Sequence, residues 1–363
     1  MQTGVAHGGD ATASGRLRAR QLLHDARRLL TRRVVHLIGF VVFTYLFLKV
    51  IPGLEKALES LKGVSAAWIV GAMAVETLSQ SGYVVSWRGI LDPDDLLGAE
   101  GRGRHLAARV AWAQLGGGMI VPGGTLGSMG IGAWMLQRLG MPMGRVGERQ
   151  FTLMFLNTAI DGLAVMFFGL GLATGVFEGG NNLLLTLLPA VVVACGLSLA
   201  LVVARSTERL VPKIRGRNAR LARAVSSLAL AVENTKKMLR SRGSTKIVVG
   251  AVAYLGFDML VLQGAFLAID AHPVPTFAVV SMGYLIGGLG GSIPLPANLG
   301  AVTGMAAMLI AFGVDHSDAI AAVVLYQAIG FLVPLLGGGI AYVFLRGQLG
   351  AASVSSPTAQ PRT

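Results

Sequence analysis

The sequence predicts an all-α protein that crosses a membrane many times, and three observations carry that reading. Of its 363 residues, 53% are hydrophobic and only 13% are charged, whereas soluble domains carry about 25% charged residues. Several apolar runs reach the roughly 20 residues that a helix needs to cross a bilayer. The third observation is an unusual phrase that occurs twice inside apolar sequence. It reads Pro122-Gly123-Gly124-Thr125-Leu126-Gly127 in the first copy and Pro294-Leu295-Pro296-Ala297-Asn298-Leu299-Gly300 in the second. Each copy runs into a short apolar stretch ending fourteen residues after its Leu, at Gly140 and Gly313. Helix breakers at membrane depth are tolerated only where the backbone is buried in protein or lines a cavity. Interrupted segments in corresponding positions of two halves point to a transporter's binding site.

The elements follow in order. Residues 1–33 form a basic leader, with Gly, Ala, Ser and Thr up to residue 15 and then seven arginines against Asp25. Its composition predicts partial disorder. Spans are expected at 34–51, 64–87, 105–121, 150–176, 182–204, 245–269, 276–293 and 319–345. Short helices at 126–140 and 299–313 lie between them. At 1.5 Å per residue each covers about 22 Å, less than the ~30 Å hydrocarbon core, so both are read as re-entrant. Residues 34–346 thus make one transmembrane domain, its halves (about 34–204 and 245–346) related by an internal repeat. In 218–241, Leu221, Val225, Leu228, Val232 and Leu239 share a helical face, while Arg220, Arg223, Lys236, Lys237 and Arg240 lie largely elsewhere. That pattern predicts a basic helix lying in the membrane interface. The tail, 347–363, is expected to be disordered.

Charge placement sets the orientation. Arg205 to Lys246 holds twelve Lys/Arg against Glu208 and Glu233. Such an excess in short loops beside spans marks the cytoplasmic side, so the N-terminus is expected in the cytoplasm of a multi-pass cell-membrane protein. Topology and anionic lipid account for the net charge of +13 without a nucleic-acid partner. No cleavable signal peptide is evident. The single Cys195 excludes an internal disulfide and is expected to be a small buried core residue.

Ionisable side chains inside spans are costly and usually face a cavity or a partner. Glu76, Arg149, Asp161 and Asp258 meet that description. Asp161, twelve residues into its span, is a candidate to hold a headgroup amine or a proton; Arg149, near a span end, reads as a snorkelling topology marker. Pro122 and Pro296 break the helices. Gly123, Gly124, Asn298 and Gly300 then bring backbone amides close enough to cradle a lipid phosphate. Gln80, Gln114, Asn157 and Gln327 are candidates to line a polar path. Gly283, Gly287 and Gly291 repeat every four residues, the spacing of a close-packing helix face. The six His lack zinc-type spacing and no Walker loop occurs, so no catalytic residue, metal or cofactor is expected. Asp92, Asp94 and Asp95 read as a solvated turn.

The second copy, Pro294 through Gly339, resembles the lysylphosphatidylglycerol synthase transmembrane family, whose flippase-type domains occur alone or fused to aminoacyl-phosphatidylglycerol synthases. The residues that match its pattern are Pro294, Pro296, Leu299, Gly300, Phe312-Gly313-Val314, Ala319, Ala321, Ala322, Leu325-Tyr326 and Pro334. The first copy fits through Pro122-Gly123-Gly124, Leu126-Gly127, Leu139-Gly140 and Asp161-Gly162. The family's Gly-Gly is Ala297-Asn298 here, its acidic position falls on Thr303, and its arginine after Tyr falls on Gln327. The sequence stops eighteen residues after the last expected span, so a stand-alone member lacking the soluble synthase domain is expected. The resemblance implies a flippase-like function in lipid transport, with an anionic phospholipid or a lipid-linked headgroup as partner. Pro122, Gly123, Gly124, Asp161, Pro296, Asn298, Gly300, Thr303 and Gln327 form the expected lipid-binding set. Two other expectations stand beside it. One is a non-catalytic accessory subunit of a membrane lipid or glycosyl transferase. The other is an intramembrane lipid-modifying enzyme built on Asp161 or the acidic loop at 92–95.

Overall fold

Ser65 opens the first helix, its hydroxyl accepting from the Trp68 amide at 3.4 Å, and α1 then runs from Ala66 to Leu91. The computed structural model describes residues 62–95, 97, 105–121, 124–179, 182–216, 218–292 and 299–354. By internal contacts the chain divides into Met1–Leu54 and Glu55–Thr363, and the described residues belong to the second unit. The basic leader and the span expected at 34–51 lie outside them.

After α1 come α2 (Leu106–Ile120), α3 (Gly124–Arg138), α4 (Met143–Ala173), α5 (Leu183–Arg205), α6 (Thr207–Arg215) and α7 (Ala219–Leu239). They are followed by α8 (Ser244–Ala268), α9 (Phe277–Gly287), α10 (Leu299–Ala311) and α11 (His316–Val354). A 3-10 turn at Gly288–Ser292 extends α9. No strand occurs among the described residues. Among the described residues four helices, α4, α5, α8 and α11, are long and apolar enough to cross a membrane. At 26 residues α1 has the length, but Glu76, Thr77, Ser79, Gln80, Ser81 and Ser86 dilute its apolar character. α11 continues to Val354, past Gly347 where the tail was expected to begin, and residues 355–363 lie outside the described residues.

The short helices pair into two antiparallel hairpins. In α2–α3, the Ser128 hydroxyl donates to the Gln114 carbonyl at 3.1 Å, and Gly117 and Gly118 face Ile131 and Ser128. In α9–α10, Gly283 faces Leu309, and Gly287 lies against the Gly304–Met305 backbone, where an added Cβ would sit 2.4 Å from the Met305 Cα. The glycine spacing read from sequence is therefore a packing face. Both hairpins end alike. Gly140 (φ +94°) and Gly313 (φ +91°) adopt left-handed backbone, which costs an L side chain about 1–2 kcal/mol. Around them Met141 N bonds Leu136 O, and Val314 N bonds Leu309 O, each at 3.0–3.1 Å. These bonds satisfy carbonyls that the helix end would otherwise leave open.

Long helices hold the hairpins. α1 and α8 pack closely, with Gly82 against Gly250 and the Ser86 hydroxyl donating to Ile247 O at 2.9 Å. α2 packs against α11 where Gly116 meets Gly338, and α9 packs against α4. One apolar cluster gathers Trp87, Leu91, Leu106, Met135, Leu136, Val146 and Leu345 around the first hairpin. A second gathers Val165, Leu172, Leu255, Met259, Val279 and Met282 beside α9. α5 packs on α4 and α7 but leaves Val191, Val192, Leu199 and Val202 exposed. Cys195 shares that exposure and is not the core residue expected; its thiol is on the side of α5 turned away from the bundle. In α7 the middle of the expected apolar stripe faces inward. Val232 is 1% exposed, Leu221 and Leu239 remain about half exposed at the ends, and the helix packs on α4 and α5.

Candidate functional site

A seam of polar side chains crosses the apolar bundle from one hairpin to the other. It starts where α2, α1 and α4 meet. The Trp87 indole donates to Gln114 Oε1 at 2.9 Å, and Gln150 Nε2 donates to the same oxygen at 3.0 Å. Gln114 Nε2 in turn donates to the Tyr83 hydroxyl at 3.1 Å. Gly132 of α3 closes over this group, because a Cβ there would lie 1.9 Å from Gln114 Oε1. Such buried amides persist only when their hydrogen bonds are made.

From Tyr83 the seam passes to Tyr254 of α8, the two rings meeting edge-on at 5.4 Å. One helical turn along, Asp258 is 5% exposed and accepts from the Tyr284 hydroxyl of α9 at 2.5 Å. Tyr326 of α11 also hydrogen-bonds Asp258, and its ring packs edge-on against Tyr284 at 5.9 Å. Glu76 of α1, only 1% exposed, is in hydrogen-bonding contact with Asp258. Gln80 Nε2 donates to Glu76 Oε1 at 2.5 Å. Glu76 Oε2 and Gln80 Oε1 remain buried with no protein donor. Among the described residues no Lys or Arg pairs with Glu76, Asp161 or Asp258.

The expected residues fall in several places. Asp161 lies midway along α4, exposed and within electrostatic reach of Asp258. It flanks the buried pair rather than joining it. Gly124 begins α3. Gly300 is buried at the start of α10, where its carbonyl lies against Gly290. Thr303 is exposed and donates to Gly300 O at 3.2 Å. Gln327 is half-buried beside Tyr326 in α11, and Asn157 is half-buried in α4. Pro122, Gly123, Pro296 and Asn298 lie outside the described residues.

Other polar residues have structural partners. Arg149 donates to the Leu91 carbonyl at 2.7 Å, at the end of α1, where a cation complements the helix dipole. In the acidic loop Asp92 is buried, not solvated, and accepts from the Leu97 amide. Asp95 pairs with Arg88 at 3.0 Å.

Sequence reasoning singled out Glu76, Asp258, Gln80 and Gln114 but not the tyrosines around them. A signal was present. Glu76, Gln80 and Tyr83 recur at four and three residues, as do Tyr254 and Asp258 at four, so each set shares a helix face.

Residues 33–338 match the family model described as the lysylphosphatidylglycerol synthase TM region. The chain belongs to this family. No match emerges among curated proteins. Together with the four apolar helices, family membership makes the chain a multi-pass integral membrane protein. Every named residue of the seam lies inside the matched region, on α1, α2, α4, α8, α9 and α11.

Proposed function

We propose that the protein binds an amphipathic lipid or lipid-linked headgroup and moves it between leaflets. The headgroup enters the polar seam while the acyl chains stay in the bilayer. One observation carries this reading: two hydrogen-bonded polar clusters, joined by the edge-on contact of Tyr83 and Tyr254, link two short helical hairpins inside an otherwise apolar bundle. A charge at the bilayer centre costs at least ~2.5–3.5 kcal/mol, and two buried carboxyl groups with no basic partner among the described residues are poor material for a purely structural core.

The hairpins are read as re-entrant elements of an internal repeat. Supporting this are their similar arms, the same left-handed glycine stop, and the packing of α2 on α11 and α9 on α4, each joining one half to the other. The N-terminus is assigned to the cytoplasm. The basic segment around α6 and α7 then lies on the same side, where an anionic phospholipid headgroup would gather. The accessory-subunit reading keeps one argument: Thr303 and Gln327 stand where the family pattern has an acid and an arginine.

The test is leaflet exchange of headgroup-labelled lipids in proteoliposomes. The parent is expected to move at least one lipid class, and Asp161→Ala to stop that movement while keeping its helix content. If a broad panel stays still, with and without ion gradients, in folded and oriented protein, the translocator reading gives way to the accessory one.

A further inference from the structure

We propose that Glu76 and Asp258 hold one exchangeable proton between them and that this buried site couples headgroup movement to a proton gradient. The coupling half rests on the translocator reading; the proton site does not.

Two carboxyl groups in hydrogen-bonding contact need a proton, because ionised carboxylates only accept. Asp258 already receives the Tyr284 and Tyr326 hydroxyls. Glu76 Oε1 receives Gln80, and Glu76 Oε2 has no protein donor. One proton between the carboxyls fills the gap left at the centre. Among the described residues, every neighbouring element leaves that charge uncompensated. α1 presents Gln80 and Tyr83, α8 presents Tyr254, and α9 and α11 present Tyr284 and Tyr326, while α4 adds Asp161, a third acid. A metal cation fits less well. The tyrosines aim O–H groups rather than lone pairs at Asp258, and no three His, Cys, Asp or Glu side chains converge as a metal site among the described residues.

The step is a proton transfer alone. A proton from water on one side of the membrane adds to a carboxylate of the pair and leaves to water on the other side. Asp161, exposed and near Asp258, is the outer relay. The pair titrates as a unit rather than as two separate acids.

Infrared pH-difference spectra of the purified full chain in lipid nanodiscs test the site. The parent is expected to show a protonated-carboxyl carbonyl band at neutral pH. Glu76→Gln should abolish that band, Asp258→Asn should shift it, and Asp161→Asn should leave it in place, with circular dichroism confirming the helix content of each. No such band in the parent, or a band unchanged in both Glu76→Gln and Asp258→Asn, overturns the site. In proteoliposomes a proton gradient is expected to accelerate lipid exchange severalfold in the parent and not at all in Glu76→Gln. Acceleration by a sodium gradient in its place overturns the coupling. A Glu76-dependent band with no lipid movement under any gradient sinks the coupling and the translocator reading together, and leaves the proton site standing.

Discussion

A methyl group added at position 132 would land 1.9 Å from Gln114 Oε1 and 2.9 Å from Gln150 Nε2. Gly132→Ala must therefore push the buried amide pair apart or lift α3 away from α2. Overpacking of this kind costs about 1–3 kcal/mol. The variant is expected to unfold earlier than the parent in a denaturant titration in detergent. The emission of Trp87, whose indole donates to Gln114, should change with it. Unaltered stability and emission would mean that α3 does not close over this group. At this scale the sequence exposed the rare residues and hid the common ones. Glu76 and Asp258 stood out because charges inside spans are rare, and Gln114 because it interrupts an apolar run. Tyr284 did not, and Tyr326 only as a match to the family pattern, since a tyrosine's role depends on which neighbour its hydroxyl reaches. Asp161 was placed twelve residues into its span, but position along a helix does not tell which way the side chain faces, and it is exposed.

Helix ends were readable because capping chemistry is local. Gly140 and Gly313 close their hairpins, and Asp315 starts α11 by accepting from the Ser317 amide at 2.8 Å and from the Ser317 hydroxyl. Those donors hold the exposed Asp315 carboxyl below the usual carboxylate range. A lowered value means that the cap contributes fully above the ordinary carboxylate range. Its contribution is lost as pH falls through the lowered value. Hydrogen exchange at residues 317–319 is therefore expected to quicken in Asp315→Ala at neutral pH. Acidifying the parent should produce the same change, and the variant should respond less to acid. Equal exchange in both proteins at neutral pH would remove the cap from the account. The stripe on α7 was read as the apolar face of a helix lying in the membrane interface; α4 and α5 cover its centre at Val232, while Leu221 and Leu239 at its ends stay exposed. Cys195 was placed inside because cysteine is usually buried, whereas α5 packs on one side only.

Across the whole molecule, hydropathy located α1, α4, α5, α8 and α11, and the repeated Pro/Gly phrase located α3 and α10. The spans expected at 105–121 and 276–293 are instead the shorter helices α2 and α9, and α6 was not foreseen. Which helices touch was not legible. The packing of α1 on α8 depends on Gly82 meeting Gly250, and that of α2 on α11 on Gly116 meeting Gly338. These are pairings over long sequence separation that no local pattern announces. They bring Glu76 of α1 to Asp258 of α8 and so complete the seam. In the proposed mechanism a lipid headgroup enters that seam while its acyl chains remain outside. Photolabelling with two versions of one lipid, reactive at the headgroup or at the tail, followed by peptide mapping, tests it most directly. The headgroup probe is expected to label α1, α4 and α9 near Glu76, Asp161 and Tyr284, and the tail probe to label exposed faces such as Val191 to Val202 of α5. If both probes label only outward faces, and Asp161→Ala changes neither pattern, the headgroup does not enter and the claim is wrong.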